Sequence, residues 1–219
     1  MRENDSERLS DSHKFLIIIF EIKHFDSMKK DIILAGVGGQ GILSIATVIG
    51  EAAIKEGLYI KQAEVHGMSQ RGGDVQSNLR ISSSPIHSDL IALGGADLII
   101  SLEPMEALRY LPYLSKRGWI VTSTEPYVNI PNYPNKELIF EDLKKVGNVI
   151  MVDVDTLAKE AGNPKGANIV LLGACAKLLG IEISKFEDGI RRIFARKGEE
   201  VVESNIKAFR AGVEAAVAQ

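Results

Sequence analysis

The sequence predicts an α/β domain with a mostly parallel sheet, helices on both faces and a helical C-terminal segment. Short apolar runs of strand length alternate with longer segments of helical periodicity, which favours a parallel sheet covered on both sides. The first run ends in the glycine-rich turn Gly36-Val37-Gly38-Gly39-Gln40-Gly41, which opens the first helix. From residue 155 onward the pattern is helical only. This order is Rossmann-like, and 219 residues with 45% hydrophobic content suffice for one well-buried domain.

Each element follows from a local pattern. The predicted strands cover residues 31–35, 58–65, 75–81, 97–101, 119–122 and 149–152. The run 31–35 (DIILA) is typical of a strand buried on both faces, whereas 75–81 (VQSNLRI) alternates polar and apolar residues and predicts a half-exposed strand. The predicted helices cover residues 40–56 and 104–111, followed by C-terminal helices that break at 162–166, at 180–184 and near 198. Residues 126–134 contain three prolines and predict a surface loop.

The first 27 residues differ from the rest of the chain. Residues 1–14 are polar without periodicity, and the apolar run 15–20 is far shorter than the ~20 residues of a membrane span. We expect residues 1–27 to be a flexible N-terminal extension or the product of a start codon placed too early. The alternative is an extra edge strand at 15–20. Residues 28–219 are expected to form a single domain.

Charge and composition exclude several classes of protein. The formal net charge of −3 gives no sign of a nucleic-acid or membrane-surface footprint. The single cysteine, Cys175, lies in an apolar segment and cannot form an intramolecular disulfide or hold an iron–sulfur cluster. None of the four histidines stands at metal-ligand spacing from another. We therefore expect a cytoplasmic protein with no metal of its own and a buried, unreactive Cys175.

The glycine turn occupies the position of a phosphate-binding turn. Gly36 would permit the tight turn, Gly38 would let a ligand approach the backbone, and Gly41 would allow close packing of helix on strand. Free amides at the helix start attract anions. Two alternatives stay open at this point: the glycines serve packing alone, or the turn binds a dinucleotide whose ribose hydroxyls contact Glu64.

The segment after the second strand argues against an ordinary dinucleotide fold. Where a helix should start, the sequence has the glycine-containing loop His66-Gly67-Met68-Ser69-Gln70-Arg71-Gly72-Gly73-Asp74. Its polar groups suit a carboxylate or phosphate, with Arg71 as a two-pronged donor. The alternative is a structural loop in which Arg71 pairs with Asp74. We expect His66 to be a hydrogen-bonded loop residue.

Several motifs in order resemble the gamma-type domain of 2-oxoacid:ferredoxin oxidoreductases. The segments that carry the resemblance are ILAGVGGQGI (33–42), EVHGMSQRGGDVQSNLRIS (64–82), GGAD (94–97), EPMEAL (103–108) and NIVLLGA (168–174), with Lys197, Glu203, Asn205, Ala208 and Phe209 near the C-terminus. The resemblance covers residues 28–215, and the segment VHGMSQRGG (65–73) is most similar to the indolepyruvate type. Residues 1–27 have no counterpart in it.

The resemblance implies a division of labour between subunits. The resemblance implies that a large partner subunit holds thiamine diphosphate, magnesium and the iron–sulfur clusters, and that ferredoxin interacts with the assembled complex. This chain would hold no cofactor of its own, but it could contact coenzyme A. The implied reaction is oxidative decarboxylation of an aryl 2-oxoacid to an acyl-CoA and carbon dioxide. The isolated chain would be inactive, and a homodimer of it stays open. The alternatives are a stand-alone NAD(P)-binding domain of a small dehydrogenase and a non-enzymatic anion-binding scaffold.

The predicted site combines the turn, the loop and one acidic residue. The expected cofactor-binding or partner-docking residues are Gly36, Gly38, Gly39, Gln40, Gly41, Ser69, Gln70, Arg71, Gly72, Gly73 and Glu103. We predict no catalytic and no metal-binding residue. Helix capping is the simpler role for Glu103, Glu106 and Asn168. For the C-terminal helices (184–196 and 199–217), packing on the sheet is favoured over a partner-binding stripe.

Overall fold

The computed structural model describes residues 28–66 and 72–217, which form one six-stranded sheet with helices on both faces. The strands are β1 Lys29–Val37, β2 Tyr59–His66, β3 Asp74–Ser82, β4 Ala96–Ser101, β5 Leu114–Ser123 and β6 Val149–Val152. The helices are α1 Ile42–Lys55, α2 Pro104–Arg109, α3 Lys136–Lys145, α4 Val154–Glu160, α5 Ala167–Leu179, α6 Ile183–Phe194 and α7 Glu199–Val217. The expectations for residues 1–27 lie outside the described residues.

The strand order β2-β3-β1-β4-β5-β6 departs from the usual Rossmann order in one place. Strands β1, β4, β5 and β6 pair in parallel. Strand β3 lies between β1 and β2 and is antiparallel to both, so it alone runs against the other five. The predicted mostly parallel sheet is confirmed. Because β2 and β3 are adjacent and antiparallel, the two strands form a hairpin.

Apolar side chains of β1 point alternately into two cores. Ile32 and Leu34 pack with α1 and α5 on one face, whereas Ile33 and Ala35 pack with α2 and α3 on the other. Because both faces are covered, an uninterrupted apolar run is what this strand needs. The predicted helices on both faces are confirmed.

The expectation that β3 is half exposed is wrong. Ser77 and Asn78 point to opposite faces of the sheet and are 0% and 2% exposed, so both faces of β3 are covered at this point. Both side chains have local partners: Gln62 Nε2 donates to Ser77 Oγ at 3.1 Å, and Ile91 N donates to Asn78 Oδ1 at 3.2 Å. Hydrogen bonding makes these polar residues tolerable inside the sheet.

The two last helices pack mainly on other helices, which corrects the expectation that they cover the sheet. Helix α7 lies across α5, and α6 packs against α1 and α7. At the crossing of α5 and α7, Gly173 faces the Phe209 carbonyl and Gly212 faces the Val170 carbonyl so closely that neither position has room for a Cβ. The C-terminal segment thus adds a second helical layer outside α5.

One helix has no counterpart among the predicted elements. Helix α3 follows the proline-containing loop, and its start is capped by Asn135, whose Oδ1 accepts from Glu137 N at 2.8 Å. Only Ile139 and Leu143 are buried along it, which explains its weak sequence signal. Within the described residues, no helix combines the length and apolar character needed to cross a bilayer.

Candidate functional site

The glycine turn and the end of the β2–β3 connection lie side by side at the carboxyl edge of the sheet. Gly38 N donates to Gly73 O at 2.8 Å, and Gly72 N donates to Gly38 O at 3.4 Å. These bonds continue the β1–β3 ladder beyond the strand ends. Residues that the sequence separates by more than 30 positions therefore form one surface. Ser69, Gln70 and Arg71 lie outside the described residues, as does the side chain of His66.

Gly41 has both a backbone and a packing requirement for glycine. Its φ is 83°, a left-handed conformation, and a Cβ there would lie 2.7 Å from Asn168 Nδ2. Asn168 Nδ2 donates to Gly41 O at 3.2 Å. The expectation that Asn168 caps α5 is wrong, because Gly166 occupies the cap position. Asn168 instead fastens the glycine turn to α5.

Gln40 has a structural role that the sequence did not reveal. Its side-chain Oε1 accepts from Val37 N at 2.7 Å, and its Nε2 donates to Leu102 O at 3.4 Å. The amide thereby joins the end of β1 to the segment after β4. Both polar ends of Gln40 are engaged within the chain.

Glu103 is fully buried, at 0% exposure, directly after β4. Its carboxylate accepts from Glu106 N at 2.8 Å, so the predicted capping of α2 is confirmed. The carboxylate also accepts from Tyr127 N at 3.4 Å and from the Tyr133 hydroxyl. Burial raises the pKa of Glu103 above its ordinary value, although these three hydrogen bonds oppose the rise.

A second acidic group lies beside the first. Glu106 is buried, and Arg109 Nε pairs with its Oε2 at 2.6 Å. Tyr110 donates its hydroxyl to Asp74 Oδ2 at 3.3 Å, which joins α2 to the start of β3. Burial and the nearby Asp74 and Glu106 charges raise the pKa of Tyr110. The described side chains at this edge are thus rich in carboxylates.

The proline-containing loop is tied to this edge. We call residues 124–135, which join β5 to α3, the strap. Tyr127 and Tyr133 contact Glu103, and between them Asn129 Nδ2 donates to Gly72 O at 2.6 Å. The segment is a loop, as predicted, but it also contacts Gly72, which lies beside the glycine turn. Nothing in its proline-rich composition indicated these partners.

Two further expectations concern metals and thiols. Cys175 is buried as predicted, and burial raises the pKa of its thiol. Among residues 28–66 and 72–217, no group of three or more His, Cys, Asp or Glu side chains is placed to hold a metal ion.

An open, mostly parallel α/β sheet with a glycine turn after its first strand defines a Rossmann-like domain. The sequence profile of the family described as pyruvate ferredoxin/flavodoxin oxidoreductase matches residues 31–215. The chain belongs to this family.

Curated relatives match nearly their whole length. The chain is 38% identical over 200 residues to indolepyruvate oxidoreductase subunit IorB of Pyrococcus horikoshii, covering 85% of this chain and 95% of the relative. Identity to the IorB subunit of Thermococcus kodakarensis is 36% over 197 residues, with the same two coverages. The pyruvate/ketoisovalerate oxidoreductases common subunit gamma of Pyrococcus furiosus is 31% identical over 183 residues, covering 82% of this chain and 92% of the relative.

Solved structures share the fold. The gamma subunit of keto/oxoacid ferredoxin oxidoreductase from Geobacter sulfurreducens superposes with a TM-score of 0.66 at 27% identity, covering 87% of this chain and 97% of that one. The 2-oxoglutarate:ferredoxin oxidoreductase from Magnetococcus marinus, solved with 2-oxoglutarate, coenzyme A and succinyl-CoA bound, gives a TM-score of 0.69 at 22% identity. The superposition covers 88% of this chain and 32% of the Magnetococcus marinus chain. The resemblance to gamma-type domains is confirmed.

Proposed function

We propose that this chain is the small subunit of an indolepyruvate-type 2-oxoacid:ferredoxin oxidoreductase that works in the cytoplasm. A large partner subunit would hold thiamine diphosphate, magnesium and the iron–sulfur clusters and would pass electrons to ferredoxin. The assembled enzyme would convert an aryl 2-oxoacid and coenzyme A to an acyl-CoA and carbon dioxide. One observation carries the proposal: the indolepyruvate subunits match at 36% and 38% identity across 95% of their length.

The substrate class is inferred from a comparison of sequence identities to relatives of different substrate type. The pyruvate/ketoisovalerate gamma subunit matches at 31%, below both indolepyruvate subunits. We infer an aryl 2-oxoacid for this reason. The substrate itself would be read mainly by residues of the large subunit.

The carboxyl edge is the face that we assign to coenzyme A or to the large subunit. Gly41 offers no side chain to cap α1, so the first amides of that helix can receive an anionic group. Gly39 and Gly72 each have open space where a Cβ would stand, which leaves their backbone approachable. Coenzyme A would bring phosphates to these amides, and Arg71 would add a guanidinium. Gly36, Gly38, Gly73 and Glu103 would shape this face from within.

The strand arrangement disfavours the dinucleotide alternative. Strand β3 separates β1 from β2, so Glu64 lies two strands, or about 10 Å, from the strand that carries the glycine turn. In a dinucleotide site the acidic residue stands on the neighbouring strand.

Anaerobic reconstitution tests the proposal directly. The chain and a large subunit from the same organism would be co-expressed and assayed for coenzyme A-dependent viologen reduction with indolepyruvate, phenylpyruvate and pyruvate. We expect activity only in the assembled complex, with indolepyruvate preferred. A preference for pyruvate would contradict the substrate class. A failure of the two chains to associate would contradict the subunit role.

A further inference from the structure

We propose that Glu103 is a positioning residue: it anchors the strap, and the strap holds the Gly72 end of the β2–β3 connection against the glycine turn. The effect on activity rests on the proposed function. The structural part can be tested on the chain alone.

The anchor itself is rigid. Glu103 follows the interior strand β4, and Ser101 Oγ donates to its carbonyl oxygen at 2.6 Å while accepting from Glu103 N at 3.2 Å. One carboxylate oxygen, Oε2, is held by the amide of Glu106 at the start of α2. With its backbone and this oxygen fixed, the other oxygen has a defined direction.

The other oxygen, Oε1, holds the strap at two points. It accepts from the Tyr127 backbone amide and from the Tyr133 hydroxyl, six residues further on. Tyr133 also packs its ring against the core of α2 and α3. A buried acceptor shared by two points of a loop fixes both ends of the intervening segment, because releasing either donor would leave the buried carboxylate short of a partner.

The segment between those two points reaches the predicted site. Asn129 Nδ2 donates to Gly72 O at 2.6 Å. Gly72 is thus hydrogen-bonded through both its backbone groups, since its N–H donates to Gly38 O in the glycine turn. On the other side of Gly73, Asp74 accepts from the Tyr110 hydroxyl. These contacts set the point from which the connection leaves the sheet.

The position of Gly72 matters because Ser69, Gln70 and Arg71 immediately precede it in the chain. Gly72 has a φ of 77° and open space where a Cβ would stand, so it has no side-chain packing that would restrain it. The strap supplies the missing restraint, and it lowers the conformational entropy that binding would otherwise have to remove.

Two variants break this chain of contacts and keep the apolar packing of the core. Tyr133→Phe removes only the hydroxyl that meets Glu103 and keeps the ring in place. Asn129→Ala removes the donor to Gly72 at an exposed position. Asn132→Ala is the matched control, because Asn132 is an exposed asparagine of the same strap for which the described structure gives no side-chain hydrogen bond.

Hydrogen–deuterium exchange on the full-length chain measures the restraint. We expect Tyr133→Phe and Asn129→Ala to speed exchange of the Gly38 and Gly72 amides by about fivefold, the factor that loss of one hydrogen bond brings. Exchange in β1 and β4 should not change, and Asn132→Ala should match the unaltered chain. Unchanged exchange at Gly38 and Gly72 in Asn129→Ala, or equal effects of Asn129→Ala and Asn132→Ala, would overturn the inference.

The assembled complex gives a second readout. If coenzyme A meets this edge, both variants should raise its KM by a similar factor and leave kcat nearly unchanged, since positioning acts on binding. A fall in kcat alone, with KM unaltered, would contradict positioning. An unaltered complex that is inactive with every 2-oxoacid would refute the proposed function, and the exchange result would still decide the role of Glu103.

Discussion

At the scale of single residues, Glu103 has two roles: it caps α2 and it contacts the strap. Its place after a buried strand and before Pro104 predicted a helix cap, and that role is confirmed. Its contacts with the strap could not be predicted, because they join residues 24 and 30 positions apart through a loop without periodicity. Gln40 and Asn168 were singled out for a ligand and for a cap, but their side chains bond to the chain's own backbone. Residue type indicated polar contacts at these positions, while the partners depended on the tertiary structure.

The raised pKa of Glu103 predicts a pH-dependent contribution to stability. A group whose pKa is higher in the folded than in the unfolded chain contributes fully at low pH, and this contribution is lost as pH rises through the folded value. The loss should therefore begin near the ordinary value of 4.5 and continue above it. In Glu103→Gln the amide oxygen can still accept from Glu106 N and the amide nitrogen can donate to the Tyr133 hydroxyl, while Tyr127 N loses its acceptor. We expect this variant to be less destabilised, relative to the unaltered chain, at pH 7 than at pH 4.

Urea unfolding at several pH values measures this difference. Glu106→Gln provides the comparison, because Glu106 is a neighbouring buried carboxylate with an ion-pair partner in Arg109. If the free energies of unfolding of Glu103→Gln and the unaltered chain change in parallel with pH, Glu103 does not titrate as we expect.

Arg71 is predicted to contribute the positive charge of the carboxyl edge. We expect Arg71→Ala to associate normally with the large subunit and to lose about tenfold or more in kcat/KM for coenzyme A, as removal of a charge-assisted contact does. Arg117→Ala is the matched control, since Arg117 is exposed in the first half of β5, away from this edge. Loss of association in Arg71→Ala, measured by co-purification, would assign Arg71 to subunit docking and not to coenzyme A.

At the scale of elements, the apolar runs predicted the strands well because most of them are buried on both faces. The exposure of β3 was predicted wrongly, because Gln76, Asn78 and Arg80 share one face and resemble an exposed face, although Asn78 is buried. Helix α3 was missed because it buries only two side chains. The NIVLLGA segment was recognised as a motif, but its physical cause is visible only in the structure: Gly173 lets α5 and α7 touch backbone to backbone.

The helix crossing predicts an unusual response to alanine. In an open helix, Gly→Ala stabilises by about 1 kcal/mol. At Gly173 or Gly212 the new methyl group would overlap a carbonyl oxygen of the facing helix, so we expect the free energy of unfolding to fall by about 3 kcal/mol or more.

Gly189→Ala in α6 is the control for this crossing, because its Cβ would come no closer than 3.3 Å to Glu51 Cβ. We expect its effect to stay within about 1 kcal/mol. Thermal and urea unfolding of the three variants should separate Gly173→Ala and Gly212→Ala from Gly189→Ala. Equal stabilities would mean that α5 and α7 can move apart at little cost.

At the scale of the whole molecule, the fold class and the family were predicted from the sequence, but the strand order was not. Periodicity places strands along the chain and does not say which strands are neighbours. The insertion of β3 between β1 and β2 is recorded only in the pairing of residues such as Ile33 with Asn78 and Ala63 with Asn78. The family resemblance carried the prediction of function, since glycine spacing alone fitted a dinucleotide site equally well.

The strand order predicts that nicotinamide dinucleotides do not bind with useful affinity. Because Glu64 lies two strands from β1, Glu64 and the glycine turn cannot both contact the same ribose and its phosphate. When NADH is titrated into the isolated chain, its fluorescence should show no saturable change at free NADH concentrations up to about 1 mM. A dissociation constant of about 1 mM is the weak end of specific binding. Saturable binding that Glu64→Ala abolishes would restore the dehydrogenase alternative.

The hairpin between β2 and β3 also bears on how this family can diversify. Residues 67–73 join two antiparallel neighbours, so insertions at this tip need not shift any helix or change the register of either strand. Doubling the length of such a loop costs only about 0.6 kcal/mol of closure entropy. A lineage could therefore lengthen, shorten or recompose the tip, and thereby suit it to another partner surface or acyl carrier, while the scaffold beneath it stayed the same.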